Sequence, residues 1–326
     1  MFSDRLIDGR TTKRVELSGL EKEYSDLMQE LWGSPSRWNS RRSYTDVARR
    51  LGVDEETVRN RLRRLKESGT LIGWRLVPNP SLFGRSSIMQ YLTFGSSLAK
   101  EKAISKLKDL DGVIIAASLY STDLLLTIFD DEERSASREL TSLGAEKKPS
   151  EMSGMGLPTT NFRMTPTDWQ ITRLMLRDAE KKISQVASSV KVSIRTVKRR
   201  LDAMMDNSAV FIMPMIDQTK STGVAYQVLV ESEEGKKTEV DRLVTPKIPN
   251  LVFKTGDTSN NLIYGFSGRN VSEGKELLGW IRSQPGVRAA RVNIVEKVEY
   301  VFDWLERETA SRTTRTLRRK FTPCES

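Results

Sequence analysis

The chain has 326 residues, of which 37% are hydrophobic and 29% charged, so it is long enough for two or three domains with their own cores. Its 53 lysines and arginines outnumber its 43 acidic residues and give a net charge of +10, which favours a polyanionic partner such as nucleic acid. It contains no histidine and a single cysteine, Cys324. This excludes Ser–His and Cys–His nucleophilic sites and most transition-metal sites. We therefore expect that the protein is not an enzyme and that it holds no cofactor or metal.

The N-terminal region contains an arm and a first helix. Residues 1–19 are interpreted as an arm without the apolar core of a secretion signal, and no apolar segment of the chain reaches the ~18 residues that span a bilayer. We therefore expect a cytoplasmic protein. Helical periodicity begins in residues 20–32, and the insert 34–42 follows; its Trp38 and arginines either touch nucleic acid or pack on the domain.

One segment of the chain occurs twice. Residues 44–71 align without a gap with residues 183–210. The identical pairs are Val47/Val186, Ala48/Ala187, Val53/Val192, Thr57/Thr196, Val58/Val197, Arg61/Arg200 and Leu62/Leu201. In each copy a short apolar-faced helix and a tight turn precede an N-cap residue, Asp54 or Ser193, and a second amphipathic helix. With the preceding helices, 20–32 and 166–177, this order predicts two helix-turn-helix units.

An apolar, β-prone segment follows each unit, at residues 70–77 and 209–216. We expect each segment to form the wing of a winged helix-turn-helix. The second includes VFIMPMI (residues 210–216), which is very apolar and contains Pro214. It either lies along DNA or packs on protein, and in the second case this unit is partly architectural.

The outer face of each second helix is rich in cations. A helix of this size fits the major groove of DNA, where Arg pairs with guanine, Asn reads adenine and other cations neutralise phosphates. Arginines also solvate the outside of many amphipathic helices, but their presence in both copies, with caps and wings, favours DNA binding. The predicted contacts are Thr57, Arg59, Asn60, Arg61, Arg63 and Arg64 in the first copy and Arg195, Thr196, Lys198, Arg199 and Arg200 in the second. We assign Arg59, Asn60 and Arg63 to base edges, and Thr57, Arg61 and Arg64 to phosphates.

Alternating strand-like and helical segments follow each unit. In the first half they are strand 87–94, helix 99–110, strands 112–119 and 123–129 and helix 132–143, and then 144–164 as a linker or irregular edge strand. In the second half they are strand 225–231, helix 236–243, strands 250–254 and 261–266, helix 271–283 and strand 287–295. This β-α-β-β-α-β order predicts an α+β protein with a ferredoxin-like sandwich after each winged unit. Residues 300–321 are predicted to form a helix that docks through Trp304 and ends in basic residues, which are either solvated or contact phosphates.

These segments define the predicted domains. They are an N-terminal arm (1–19), winged helix-turn-helix 1 (20–84), ferredoxin-like domain 1 (85–146), a linker or edge strand (147–164), winged helix-turn-helix 2 (165–218), ferredoxin-like domain 2 (219–299) and a basic C-terminal helix and tail (300–326).

Residues 44–84, YTDVARRLGVDEETVRNRLRRLKESGTLIGWRLVPNPSLFG, resemble the Lrp/AsnC family of archaeal and bacterial transcription regulators. The resemblance rests on the helix-turn-helix, the Ser-Gly step into the wing and the Asn-Pro segment; residues 190–210 look like a diverged copy. It implies a sequence-selective, nucleoid-associated regulator that binds double-stranded DNA. The departure from the family pattern is the tandem form, whose sheet domains would pair as an intramolecular pseudo-dimer or assemble into homo-oligomers.

The same resemblance implies a small amino-acid-like effector near the turn between the second and third strands of a sheet domain. The matching residues are Asp123, Gly256 and Asp257. Gly and Asp are also favoured in turns for backbone reasons alone, so the pattern has a plain structural interpretation as well.

Two other functions stay open. Some proteins of similar fold are sirohaem decarboxylases, which look to depend on histidine, and this sequence has none. The other alternative is an interaction scaffold whose helix-turn-helix units bind protein or RNA.

Overall fold

The computed structural model describes residues 44–131, 142–146, 150–221, 223–248, 250–256 and 260–321, with five helical positions between residues 24 and 31. Only the backbone is described for residues 150–153 and 314–321. The predicted arm, most of helix 20–32, the insert 34–42, most of helix 132–143, Asp257 and Cys324 lie outside the described residues.

The elements of the described residues follow the predicted order. The helices are α1 (Tyr44–Leu51), α2 (Glu55–Glu67), α3 (Ser97–Lys106), α4 (Pro166–Met175), α5 (Ile183–Val190), α6 (Ile194–Asp206), α7 (Lys237–Val244), α8 (Val271–Arg282) and α9 (Asp303–Phe321). The strands are β1 (Leu71–Pro78), β2 (Ser86–Thr93), β3 (Val113–Leu119), β4 (Asp123–Asp130), β5 (Ser150–Ser153), β6 (Val210–Ile216), β7 (Val224–Ser232), β8 (Leu251–Gly256), β9 (Asn261–Gly268) and β10 (Val287–Tyr300).

The two helix-turn-helix units share one hydrophobic core. Val58 and Leu62 of α2 and Val197 and Leu201 of α6 belong to the same buried cluster, which explains the i, i+4 spacing of apolar residues in both helices. Each unit turns through a left-handed residue after its first helix, Gly52 at φ +66° or its counterpart Lys191 at φ +60°. The two copies therefore have the same local backbone geometry despite their different turn sequences.

The two predicted wings pair with each other. Strands β1 and β6 form a two-stranded antiparallel sheet in which Trp74 lies opposite Pro214 and Val77 opposite Phe211. Pro214 has no N–H to donate, but each strand of a two-stranded sheet has an unpaired side that tolerates it. All seven residues of β6 are buried, so the alternative in which this strand packs on protein is the one observed.

The ferredoxin-like halves form one continuous sheet of eight strands in the order β5-β2-β4-β3-β10-β7-β9-β8. The predicted linker region contributes the edge strand β5, which pairs with β2. Strand β10 is longer than predicted, because its first part pairs with β7 and its last part, Val295–Tyr300, pairs with β3 of the other half. The two halves therefore pair within one chain, as the tandem form predicts.

The sheet is curved, so that its halves face each other. Met89 and Tyr91 of the first half share a buried cluster with Ala225 and Ile263 of the second. The edge strands β5 and β8 also approach each other. Helices α3 and α8 cover the outer faces, where separate buried clusters lie. Alternate residues of each strand thus face either a helix or the opposite sheet.

A third core connects the two layers. The face of the β1–β6 sheet that bears Val77 and Met213 packs on Phe129 of β4 and on Trp304 of α9. Trp304 is 2% exposed, which agrees with the predicted docking of the C-terminal helix. The helix begins at Asp303 instead of residue 300, because the preceding residues extend β10.

Candidate nucleic-acid interface

The exposed face of α2 lies opposite a buried face formed by Val58, Leu62 and Leu65. Asp54 begins the helix by accepting a hydrogen bond of 2.6 Å from the Thr57 backbone N–H, and this bond holds the pKa of Asp54 below its ordinary value. Of the residues predicted to contact DNA, Arg59, Arg63 and Arg64 are exposed and Thr57, Asn60 and Arg61 are half-buried.

Acidic side chains neutralise part of the α2 face. Glu55 accepts a hydrogen bond from Thr45 and pairs with Arg59 at 2.5 Å, and these contacts lower the pKa of Glu55. The Arg59 guanidinium also lies 4.6 Å from the centre of the Tyr44 ring. A phosphate or base edge would therefore compete with an existing ion pair for Arg59.

Arg63 and Asn60 form one pair on the same face. Arg63 Nη2 donates to Asn60 Oδ1 at 2.9 Å, so the structure brings together two of the side chains that the sequence assigns to base edges. Lys66, near the end of α2, pairs instead with Glu180 of the second unit at 2.9 Å. This contact ties the last turn of α2 to the loop between α4 and α5.

The exposed face of α6 carries fewer ion pairs. Ser193 begins the helix by accepting from the Thr196 backbone N–H at 3.1 Å. Arg195, Lys198 and Arg199 are exposed and line an open surface groove; within the described part of the chain they make no ion pair. These three cations lie on one helix without an ion pair, while Asp202 and Asp206 line the far end of the same groove. The cations are therefore available to contact phosphates.

Arg200 differs from its neighbours on α6. Its side chain is 24% exposed and pairs with Asp168 of α4, which is fully buried, with Nε 2.6 Å from Oδ1. This hydrogen bond raises the pKa of Arg200. Asp168 is in turn held by the capping box that begins α4 at Thr165. This contact holds α6 against α4, the helix that precedes the helix-turn-helix pair of the second unit.

Two of the candidate effector residues, Asp123 and Gly256, are described, and they lie at corresponding turns of the two halves. Asp123 is buried and accepts hydrogen bonds from Tyr91 at 2.6 Å, Thr93 at 2.8 Å and Ser121 at 2.9 Å. Burial acts to raise the pKa of Asp123, but these hydrogen bonds outweigh it and the pKa is lowered. Gly256 is the last residue of β8. The carboxylate oxygens of Asp123 thus already have donors within the protein, and the effector assignment stays a prediction.

The described residues contain no group of three or more His, Cys, Asp or Glu side chains placed to hold a metal ion. None of the helices within those residues is both long and apolar enough to cross a membrane.

The sequence did not indicate that the exposed cations of α2 make more ion pairs than those of α6. The Glu55–Arg59 pair has a local signal, because acidic and basic residues four positions apart meet on a helix surface. The Lys66–Glu180 and Arg200–Asp168 pairs have none, since they join residues far apart in the chain. The larger set of unpaired cations consequently lies on α6 and not, as the arginine count indicates, on α2.

Known proteins resemble the first unit in sequence. Residues 38–66 match the family described as the AsnC-type helix-turn-helix domain. The HTH-type transcriptional regulator Ptr1 of Methanocaldococcus jannaschii is 34% identical over 84 residues, a match that covers 26% of this chain and 55% of the relative. An uncharacterized HTH-type transcriptional regulator of Pyrococcus horikoshii is 26% identical over 126 residues, covering 37% of this chain and 74% of the relative. The chain thus spans about half the length of the first of these relatives.

A solved structure resembles the whole fold. The crystal structure of the siroheme decarboxylase NirDL aligns over 91% of this chain and 99% of its own with a TM-score of 0.54 and 15% identity. At this identity the likeness concerns the fold alone. It extends the resemblance from the first unit to the tandem arrangement of both halves.

Proposed function

We propose that the protein is a transcriptional regulator that binds double-stranded DNA selectively, because its first unit matches the AsnC-type helix-turn-helix domain. The observation that carries the proposal is a cationic, capped second helix in each of the two units, which share one hydrophobic core. The relatives named as HTH-type transcriptional regulators support it. We place the protein in the cytoplasm, associated with the nucleoid.

In this proposal α2 reads bases and both helices hold phosphates. Arg59, Asn60 and Arg63 face base edges, because Arg and Asn make the bidentate contacts that distinguish guanine and adenine. The phosphate contacts are Thr57, Arg61 and Arg64 in α2 and Arg195, Thr196, Lys198 and Arg199 in α6. Arg200 is assigned to positioning α6, because the buried Asp168 carboxylate holds its guanidinium.

Selection of bound DNA from a random pool, followed by mobility shifts, tests the proposal. We expect Arg63→Ala to weaken binding to the selected site by about 5- to 150-fold, the range of one bidentate base contact, and to weaken binding to unrelated DNA far less. Lys102→Ala is the matched control, because Lys102 is an exposed cation on α3 in the other layer. At fixed salt the control should bind both DNAs like the wild type.

Two outcomes would contradict these assignments. Equal loss on both DNAs would make Arg63 a phosphate contact only, and no enrichment of any sequence would remove the sequence-selective function. Stronger binding to single-stranded RNA than to duplex DNA, in direct competition, would favour the scaffold function instead.

We propose further that the chain is not a decarboxylase, although it shares the fold of one. Support comes from the sequence, which contains no histidine for the proton transfer that the resemblance implies. Incubation with sirohaem tests this directly. A Soret band that stays with the protein through gel filtration, together with decarboxylated product, would establish the enzyme function.

A further inference from the structure

A cavity lies between the two facing halves of the eight-stranded sheet. Its volume is about 220 Å³, larger than the ~150 Å³ apolar cavity that is sufficient to hold benzene in another protein. The lining is mainly apolar and comes from both halves: Met89 and Leu125 from the first, Phe253 from the second, and Val295 and Val298 from the shared strand β10.

One polar side chain in the cavity wall is both buried and unpartnered. Gln227, in the middle of β7, is 3% exposed and lies between Tyr226 and Val228, which face the helices. Strand alternation therefore turns Gln227 towards the opposite sheet. Its Oε1 is buried and has no hydrogen-bond partner among the residues that the structure describes. A buried amide oxygen without a donor is unfavourable, so this atom is suited to accept from a bound molecule.

Two other polar side chains of the wall, Tyr300 and Lys254, already have partners. The Tyr300 hydroxyl donates to Ile216 O at 2.9 Å and accepts from Ile216 N at 2.6 Å. Lys254 Nζ lies 2.8 Å from Asp241, which balances its charge. The wall therefore offers a mainly apolar surface, the buried Gln227 acceptor and the neutral side chains of Thr127 and Gln218, with no uncompensated charge from these groups. That combination selects against an ionic ligand.

We propose that this cavity binds a neutral, mainly apolar small molecule that donates one N–H or O–H hydrogen bond to Gln227 Oε1. Its volume fits an aromatic bicycle the size of indole. The site is separate from the turns that contain Asp123 and Gly256, and it would take a different class of ligand from an amino acid. The proposal does not rest on DNA binding, so its failure leaves the proposed function intact.

The test compares indole with indene, which has the same shape but a CH₂ group in place of the N–H. Calorimetric titration of the intact protein should show indole binding about fivefold more tightly than indene, the ratio typical of one net hydrogen bond. In Gln227→Leu we expect this ratio to fall to about one while indene still binds. In Ala117→Phe, where the new ring fills the cavity, neither compound should bind.

Three results would overturn the proposal. They are the absence of binding to the wild type, equal affinity of the wild type for both compounds, and indole binding that Gln227→Leu or Ala117→Phe leaves unchanged. Circular dichroism establishes that each variant is folded. If Ala117→Phe does not fold, Ala117→Leu takes its place, with both affinities expected to fall.

Discussion

Adjacent arginines on α6 have opposite surroundings. Arg199 is exposed and makes no ion pair within the described residues, whereas Arg200 is paired with the buried carboxylate of Asp168. An ion pair between exposed charges contributes little to the free energy of unfolding, because water already solvates both charges. A buried carboxylate that loses its partner is neither solvated nor compensated, so the loss is strongly destabilising. The two neighbouring arginines therefore have different roles. Arg199 is available to contact a partner, whereas Arg200 holds α6 against α4.

Replacing each arginine by methionine should separate these purposes. We expect Arg200→Met to lower the free energy of unfolding by about 2–3 kcal/mol, since Asp168 keeps only its hydrogen bonds to Thr165. Arg199→Met should change it by less than about 0.5 kcal/mol. Urea denaturation followed by circular dichroism measures both values.

The DNA-binding behaviour of the same two variants provides the second readout. If Arg199 contacts a phosphate, Arg199→Met should reduce the slope of log affinity against log salt by about one. An unchanged slope would remove Arg199 from the interface, and equal stability of the two variants would contradict the positioning role of Arg200.

At the scale of elements, both turns of the second unit use left-handed residues that are not glycine. Lys191 has φ +60° where the first unit has Gly52, and Ser208 has φ +54° where it has Gly69. An L-residue with a side chain pays about 1 kcal/mol or more for this conformation, whereas glycine adopts it freely. The second unit thus keeps the geometry of the first at a higher conformational cost.

Glycine at these two positions should stabilise the protein. We expect Lys191→Gly and Ser208→Gly each to raise the free energy of unfolding by about 0.5–1 kcal/mol, the strain relieved less the entropy that glycine gains in the unfolded chain. The converse substitution, Gly52→Ala, should lower it by about 1 kcal/mol. Destabilisation by either glycine would mean that the replaced side chain contributes more than its backbone costs.

The order of helices and strands could be read from the sequence because periodicity and caps are local signals. The identity of each strand's partner could not. An apolar segment such as residues 210–216 predicts a strand, but nothing within it specifies that Phe211 will lie opposite Val77. The candidate site shows the same limit. The positions of the cations on α2 and α6 were predictable from the sequence. The ion pair of Arg200 with buried Asp168 and the unpartnered Gln227 were not, because both depend on contacts between segments far apart in the chain.

At the scale of the whole molecule, many contacts cross from one half of the chain to the other. Among them are the common core of the helix-turn-helix units, the β1–β6 sheet and the pairing of β10 with β3. Separation of the halves would expose an unpaired strand edge at β3 and a lone strand at β1. Such edges promote association with other chains.

We therefore expect residues 1–161 and residues 162–326, produced separately, to aggregate or to unfold without cooperativity. Refolded together, they should form a one-to-one complex with the circular dichroism of the intact chain. Size-exclusion chromatography with light scattering distinguishes these states. Two monomeric halves that each unfold cooperatively would contradict the shared core.

The joining of the two halves in a single chain also bears on how such a protein can evolve. In a dimer of identical chains every mutation is made twice, so a harmful or beneficial change in a recognition helix appears in both copies at once. Here a mutation in α2 does not change α6, because the two helices are different segments of one chain. The backbone strain at Lys191 likewise occurs in one unit only, since the first unit has Gly52 at that position. If both helices contact DNA as proposed, the two halves of the target can therefore diverge in sequence one substitution at a time, and each half of the protein can follow independently.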